Sequence, residues 1–143
     1  MKILIVGGTG PIGGYIGSHL ADQGFDVTLC SRKRPSDNEA LANFPWVYGD
    51  YLKETFEQKD LEPFETIIFA AGSDARHIPE GDDEDQHFLN ANGVMVPKFA
   101  KLAKDAGVRT FIHIGSFYPH IMPEILDSNA YVRSRHLASS QTP

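Results

Sequence analysis

Three glycines near the start of the chain are spaced for contact with phosphate groups. Gly7, Gly10 and Gly13 lie in the segment VGGTGPIGG at positions 6–14. The first permits a tight turn, the second lets the backbone approach a pyrophosphate, and the third lets a helix pack closely on a strand. The helix that follows would point its N–H groups at the anion. The predicted cofactor-binding residues of this loop are Gly7, Thr9, Gly10, Pro11, Ile12 and Gly13.

The elements on either side of this loop have the pattern of a strand followed by a helix. Lys2–Val6 is a mostly apolar run, which is typical of a strand buried on both faces. Pro11–Gln23 is predicted to be a helix because Pro11 suits the first helical position and Gly24 can end the helix. One face of this predicted helix is formed by Ile12, Tyr15, Ile16, His19 and Leu20.

Strands and helices alternate along the rest of the chain. Strands are predicted over Asp26–Cys30, Trp46–Tyr48, Glu65–Ala70 and Arg109–Gly115. Helices are predicted over Lys53–Leu61, over Glu84–Ala106 with a kink at Pro97, and from about Asp127–Ala130 onward with Ser128 or Asn129 as the cap. The alternation predicts an α/β fold, a Rossmann-type doubly wound parallel sheet of about five strands in one domain spanning residues 1–143. Ligands bind such sheets at the carboxyl ends of the strands.

The residues that end the second predicted strand indicate which dinucleotide would bind. An acidic residue there would hydrogen-bond the ribose 2′-hydroxyl of NAD, but the chain has Ser31 and Arg32, followed by Lys33 and Arg34. Arg32 can form a bidentate contact with a 2′-phosphate, and the small neutral Ser31 would not repel it. The segment therefore favours NADP(H), with NAD as the alternative. An exposed basic turn without a ligand is the other interpretation.

The composition excludes several classes of protein. The 143 residues are 41% hydrophobic and carry a formal net charge of −6, which fits a globular domain and argues against nucleic acid as a partner. No apolar run reaches about 18 residues, so no membrane partner is expected. Cys30 is the single cysteine; it fits a reducing cytoplasm and is expected to be buried and unreactive. The acidic segment Glu80–Asp85 is interpreted as a solvated loop leading into a helix, with a divalent-metal site as the alternative.

Six short segments, in order along nearly the whole chain, resemble the short-chain dehydrogenase/reductase superfamily, in its extended or atypical, nucleotide-sugar epimerase-like branch. They are the glycine loop, Gly49-Asp50, Ala70-Ala71-Gly72, Asn92-Gly93-Val94, FIHIGS at 111–116 and YVRSR at 131–135. The resemblance implies that Asp50 accepts a hydrogen bond from the adenine amino group. It also implies that small residues line the cofactor and that Asn92 is the asparagine of the long central helix. The cofactor-binding residues implied in this way are Asp50, Tyr51, Ala70, Ala71, Gly72 and Asn92.

The same resemblance implies a catalytic group. Residues 131–135 resemble the family's Tyr-x-x-Ser-Lys helix, and residues 111–116 resemble the strand that delivers its catalytic serine. Tyr131 would exchange a proton with the substrate oxygen while a hydride moves to or from carbon, and Ser116 would hydrogen-bond that oxygen. The family's lysine is Arg135 here. Arginine keeps the positive charge that favours a tyrosinate, but it cannot release a proton.

Each of these residues also has a structural interpretation. Tyr131 could be an aromatic residue beside a helix cap, Ser116 could satisfy a turn, and Arg135 could be a solvated charge. The segment Phe117–His120 is expected to line the substrate side because it follows the fifth strand. The remaining histidines show no metal-ligand spacing, so no metal site is predicted.

Two functions remain open at this point. The first is an NADP-dependent oxidoreductase or epimerase acting on a small carbonyl or hydroxyl substrate, which Tyr131 and Ser116 favour. The second is a non-catalytic cofactor-binding module, such as a sensor or assembly protein, which Arg135 favours. Family members continue past the catalytic helix, so the C-terminal part of the family fold is expected to be missing. The sheet edge left open there would allow a homodimer.

Overall fold

The structure, a computed structural model, describes residues 1–36 and 40–143. These residues form two compact units. Unit 1 comprises Met1–Ala71 and Leu102–Ile114, and unit 2 comprises Gly72–Lys101 and Gly115–Pro143. Among the described residues, no helix is both long and apolar enough to span a membrane.

Unit 1 is built on a parallel sheet, as the alternating pattern predicted. Its strands are β1 Lys2–Val6, β2 Asp26–Ser31, β3 Trp46–Tyr48, β4 Thr66–Phe69 and β5 Thr110–His113, in the order β3-β2-β1-β4-β5. The order reverses between β1 and β4, where the last residue of β1, Val6, pairs with both Cys30 and Phe69. The predicted Rossmann-type fold is therefore confirmed, and the strand bounds differ from prediction only at their ends.

Helix α1, Pro11–Asp22, starts at the predicted proline but packs differently from prediction. Ile12 and Tyr15 are 56% and 76% exposed, so the predicted apolar face is only partly buried, through Ile16 and Leu20. The buried positions are Gly13, Gly14 and Gly17. A Cβ at Gly17 would lie 2.9 Å from Leu29 Cδ2 and 3.3 Å from Ile5 Cδ1. The sheet approaches the helix backbone closely, and only glycine leaves room for it there.

The predicted helix Lys53–Leu61 is wrong. Tyr51–Lys53 forms a 3-10 turn, and Glu54 is left-handed with φ 51°. The Asp50 N–H donates to Thr55 Oγ1 at 2.9 Å, which closes a compact turn over these residues. Only Gln58–Leu61, helix α2, is α-helical, and it begins with a capping box between Glu57 and Asp60. Local side-chain hydrogen bonds thus compete with the helix over most of this segment.

The predicted helix Glu84–Ala106 is interrupted earlier than at Pro97. Helix α3 spans Glu84–Phe88, a π-helical segment spans Leu89–Val94, and helix α4 spans Met95–Asp105. Pro97 lies in the first turn of α4. In an ordinary α-helix its ring would clash with the carbonyl four residues back, and the wider π turns just before it relieve that clash.

The other helices of unit 2 are α5, Tyr118–Ile121, and α6, Ala130–Ser140. Asn129 caps α6, as predicted, by accepting a hydrogen bond from Val132 N–H at 3.0 Å. Asp83 caps α3 in the same way, through Gln86 N–H at 2.8 Å. The acidic segment before α3 is exposed, which confirms its interpretation as a solvated loop leading into a helix.

Candidate cofactor-binding and active-site residues

The glycine loop is held by the strands on both sides of β1. The N–H groups of Gly7 and Gly8 both donate to Cys30 O, at 2.9 and 3.0 Å. Gly7 has φ +81°, and a Cβ there would lie 2.7 Å from Ala71 N. The loop therefore turns directly beside the residues that follow β4. Both the conformation and the space at Gly7 require glycine.

The start of α1 fits a pyrophosphate. A Cβ at Gly13 would overlap the carbonyl oxygen of Gly7, so helix and loop are in close contact. At Gly10 a Cβ would have only Gly7 O within 4 Å, at 3.3 Å, among the described residues. No side chain of the described residues caps the start of α1, and the first turn of α1 contains no acidic residue. An anion can therefore approach the backbone at Gly10 and meet the positive end of the helix.

The segment that follows β2 has a hydrogen-bonding network of its own. Trp46 Nε1 donates to Ser31 Oγ at 2.9 Å, and Ser31 Oγ donates to Lys33 O at 2.7 Å. The Arg34 guanidinium carbon lies 5.9 Å from the centre of the Trp46 ring. Arg32 and Lys33 are exposed. The partnership with Trp46 was not foreseen, because it joins residues 15 positions apart.

Asp50 lies just past the end of β3 and is buried. Its Oδ1 accepts a hydrogen bond from Leu52 N–H at 3.0 Å, so one carboxylate oxygen caps the 3-10 turn. Tyr51 packs edge-on against Phe69 of β4, with ring centres 5.1 Å apart. Burial and the nearby Asp50 carboxylate raise the pKa of the Cys30 thiol to about 12. Cys30 is therefore buried as predicted, and its thiol stays protonated at neutral pH.

In unit 2, Asn92 binds both backbone groups of Ser73. Its Oδ1 accepts from Ser73 N–H at 3.1 Å, and its Nδ2 donates to Ser73 O at 3.1 Å and to Ser134 Oγ at 3.2 Å. Asn92 is fully buried in the π-helical segment. The amide thus fixes the residue after Gly72 and connects it to α6.

Ser73 has a second partner that the sequence did not indicate. Its Oγ is hydrogen-bonded to His87 Nε2 at 2.6 Å, and Ser73 is buried. The two residues are 14 positions apart, on a loop and on α3. No short motif links them, so only the folded chain shows the pair.

Arg135 lies against Gly72, so it is not the solvated charge considered as an alternative. The residue is 7% exposed, and a Cβ at Gly72 would lie 2.6 Å from Arg135 Nη1 and 3.9 Å from Asn92 Oδ1. Three of the predicted residues of unit 2, Gly72, Asn92 and Arg135, are therefore neighbours. A buried guanidinium at this point places a permanent positive charge next to the loop that follows β4.

Tyr131 belongs to the same region through its backbone and ring. Ser134 Oγ donates to Tyr131 O at 2.7 Å, and Ser134 in turn accepts from Asn92. The Tyr131 ring packs edge-on against Phe88, with centres 5.2 Å apart. Ring packing against α3 and the Asn129 cap together orient the tyrosine at the start of α6.

Ser116 lies in the turn before α5, where its Oγ accepts a hydrogen bond from Tyr118 N–H at 3.3 Å. This contact matches the structural interpretation of Ser116, and it leaves the hydroxyl proton available to a ligand. Phe117 and Tyr118 are stacked, with ring centres 4.5 Å apart, and both are exposed.

An exposed ion pair lies in the segment that follows β4. Arg76 donates from Nε and Nη2 to the Asp74 carboxylate, at 3.1 and 2.7 Å. These hydrogen bonds hold the pKa of Asp74 well below its usual range. Across residues 1–36 and 40–143, no cluster of three or more His, Cys, Asp or Glu side chains could hold a metal ion.

Comparison with known proteins identifies the family. The model of the NAD dependent epimerase/dehydratase family matches residues 3–141. The chain belongs to this family. The resemblance found in the motifs is thereby confirmed for nearly the whole chain. No curated protein sequence matches it significantly.

Solved structures of the epimerase/dehydratase type share the fold. An NAD-dependent epimerase/dehydratase from Bacillus halodurans has a TM-score of 0.78 at 21% identity, over 99% of this chain and 64% of its own. A short-chain dehydrogenase/reductase superfamily protein from Agrobacterium tumefaciens with bound NAD has a TM-score of 0.74 at 20% identity, over 99% and 44%. MoeE5, in complex with UDP-glucuronic acid and NAD, has a TM-score of 0.78 at 17% identity, over 99% and 48%. The present chain thus spans about half to two thirds of the length of these relatives.

Proposed function

We propose that this epimerase/dehydratase family protein binds NADP(H) and takes part in hydride transfer to or from a small carbonyl or hydroxyl substrate, with Tyr131 as acid and base. The observation that carries the proposal is the glycine loop. Its Gly7 and Gly13 are in backbone contact, and at the uncapped start of α1 a Cβ on Gly10 would have only Gly7 O within 4 Å among the described residues. That arrangement suits a pyrophosphate.

The residues of unit 1 would hold the cofactor along the carboxyl ends of the strands. The glycine loop would bind the pyrophosphate, and the carboxylate oxygen of Asp50 not used by Leu52 would accept a hydrogen bond from the adenine amino group. Arg32, exposed after β2, supports the preference for NADP(H) because its guanidinium can pair with a 2′-phosphate. NAD is the alternative, and the relatives from Agrobacterium tumefaciens and MoeE5 were solved with NAD.

When bound, the nicotinamide supplies or accepts the hydride. Tyr131 would donate its phenolic proton to a carbonyl oxygen during reduction, or take the proton of a hydroxyl during oxidation. Arg135 lies one turn further along α6 and would stabilise the tyrosinate without exchanging a proton. Ser116 keeps its hydroxyl proton for the substrate oxygen as negative charge builds there.

The substrate class that this family fold suggests is a sugar nucleotide or a similar small hydroxyl compound. One relative, MoeE5, was solved with UDP-glucuronic acid. A sugar hydroxyl fits the chemistry of a tyrosine paired with a serine, because both act on one oxygen.

A panel of UDP-sugars, ketones and aldehydes, incubated with NADPH or NADP⁺, tests this function through the absorbance of the reduced nicotinamide. Tyr131→Phe should lower turnover by about 100-fold or more, because general acid–base catalysis contributes that much. Tyr15→Phe, on the exposed side of α1, should leave turnover unchanged. Equal rates for Tyr131→Phe and the parent would refute the role of Tyr131.

A non-catalytic cofactor-binding protein is the second candidate function. The observation that favours it is Arg135, which occupies the place of the family's lysine and cannot pass on a proton. Saturable dinucleotide binding without turnover on the whole substrate panel would support this candidate. Turnover of any substrate that depends on Tyr131 would exclude it.

A further inference from the structure

The indole of Trp46 is fixed in place by the sheet of unit 1. Trp46 begins β3 and pairs with Leu29 of β2, and its side chain packs against the buried cluster of Ile3, Ile5, Val27, Leu29 and Ile68. A residue held by both backbone pairing and core packing has little freedom to move. Groups that contact its ring are therefore held in place as well.

The indole holds two residues of the turn that follows β2. Its Nε1 donates to Ser31 Oγ at 2.9 Å, and its ring carries the Arg34 guanidinium at 5.9 Å. The Ser31 hydroxyl proton is used in turn by Lys33 O, at 2.7 Å. While these contacts persist, Ser31 cannot donate to a ligand, and the charge of Arg34 is drawn to the indole face.

We propose that Trp46 is a specificity-determining positioning residue, which folds the Ser31–Arg34 turn so that Arg32 is presented to the 2′-phosphate of NADP(H). The proposal rests on the proposed function, and it assigns the choice of cofactor to a residue outside the turn itself. All three cations of the turn are exposed. Two of them, Arg32 and Arg34, have the planar fork that matches a phosphate. The guanidinium of Arg34 lies over the indole, which leaves Arg32 as the arginine without that contact.

Three variants separate this role from simple loss of folding. Trp46→Phe keeps an aromatic ring and removes the N–H donor to Ser31. Ser31→Ala removes the same hydrogen bond from the other side, along with the bond to Lys33 O, and leaves the indole packed against the core. Tyr48→Phe alters an exposed side chain on the same strand and is the matched control.

The readout is the ratio of the dissociation constants for NADH and NADPH, from titrations that follow the cofactor's own fluorescence. Cofactor emission is required because Trp46 is the only tryptophan. In Trp46→Phe and in Ser31→Ala this ratio should fall by about tenfold, the size expected when one charge-assisted phosphate contact is weakened. NADH affinity should change less than twofold, and Tyr48→Phe should match the parent.

The titrations distinguish a failure of the NADP(H) proposal from a failure of the role of Trp46. If the parent binds neither dinucleotide, or prefers NADH, the NADP(H) proposal fails and this inference fails with it. If the parent prefers NADPH and the ratio is unchanged in both Trp46→Phe and Ser31→Ala, only the role of Trp46 is overturned. An equal loss of affinity for both cofactors would also overturn it, because that result indicates general damage to the site.

Discussion

The guanidinium of Arg135 occupies the space that a side chain at Gly72 would need. A Cβ built on Gly72 would be 2.6 Å from Arg135 Nη1 and 3.8 Å from its Cζ. Arg135 is therefore a buried packing partner of the loop that follows β4. A side chain introduced at position 72 would therefore meet the guanidinium directly.

This coupling predicts the effect of Gly72→Ala. Nη1 is the end of a long side chain, but Arg135 is only 7% exposed. The added methyl group should therefore displace a buried guanidinium and lower the free energy of unfolding by about 1–2 kcal/mol, the usual cost of modest overpacking. In an Arg135→Ala background the same methyl group should have almost no effect. Urea denaturation of the four proteins of this cycle measures the coupling. Equal losses in both backgrounds would show that Arg135 does not crowd Gly72.

Two neighbouring glycines of α1 should respond differently to alanine. In Gly13→Ala the methyl group would overlap the carbonyl oxygen of Gly7, which belongs to the backbone and cannot turn away. We expect this variant to lose about 1–3 kcal/mol of stability and to bind NADPH at least about tenfold more weakly.

Gly14→Ala is the matched control for that variant. There the nearest atom is Leu41 Cδ1 at 2.8 Å, the end of a flexible side chain. Alanine also favours the helix by up to about 1 kcal/mol, so stability and binding should stay near those of the parent. Equal binding by the two variants in a fluorescence titration would argue against a role for the Gly7–Gly13 contact.

More of the fold than of the candidate site could be predicted from the sequence. A buried parallel strand such as Lys2–Val6 has a strong signal, since both of its faces are apolar, and Asn129 is a typical cap. The helix predicted over Lys53–Leu61 failed because polar side chains such as Asp50 bind the nearby backbone instead. The pairs Trp46–Ser31 and Ser73–His87 join distant positions, and no local pattern records such contacts.

The buried amide of Asn92 predicts a large loss of stability when its hydrogen bonds are removed. Asn92→Leu should lose the two hydrogen bonds that Nδ2 donates to Ser73 O and Ser134 Oγ and the one that Oδ1 accepts from Ser73 N–H, at a cost of about 2–4 kcal/mol. Asn90→Leu, on the exposed side of the same segment, is the control. Urea denaturation measures the difference, and equal stabilities of the two variants would contradict the role of the Asn92 amide.

The raised pKa of Cys30 predicts both low reactivity and a loss of stability in alkali. Its pKa is about 12 in the folded chain, above the value of ~8.5 for an unfolded thiol. The folded state therefore gains stability below pH 8.5 and loses that gain as the pH rises toward 12. The native thiol should resist iodoacetamide at pH 8 and react fully in urea. A Cys30→Ala variant should lose less stability than the parent between pH 9 and pH 11, and rapid labelling of the native protein would contradict its burial.

The central claim is that the glycine loop binds a dinucleotide and that the turn after β2 selects NADP(H). A parallel titration of NADPH and NADH into the protein, followed by cofactor fluorescence, tests both parts at once. We expect saturable binding of both, with NADPH at least about tenfold tighter and with binding weakened in Gly13→Ala. Failure of both cofactors to bind, or equal affinity for the two, would contradict the account.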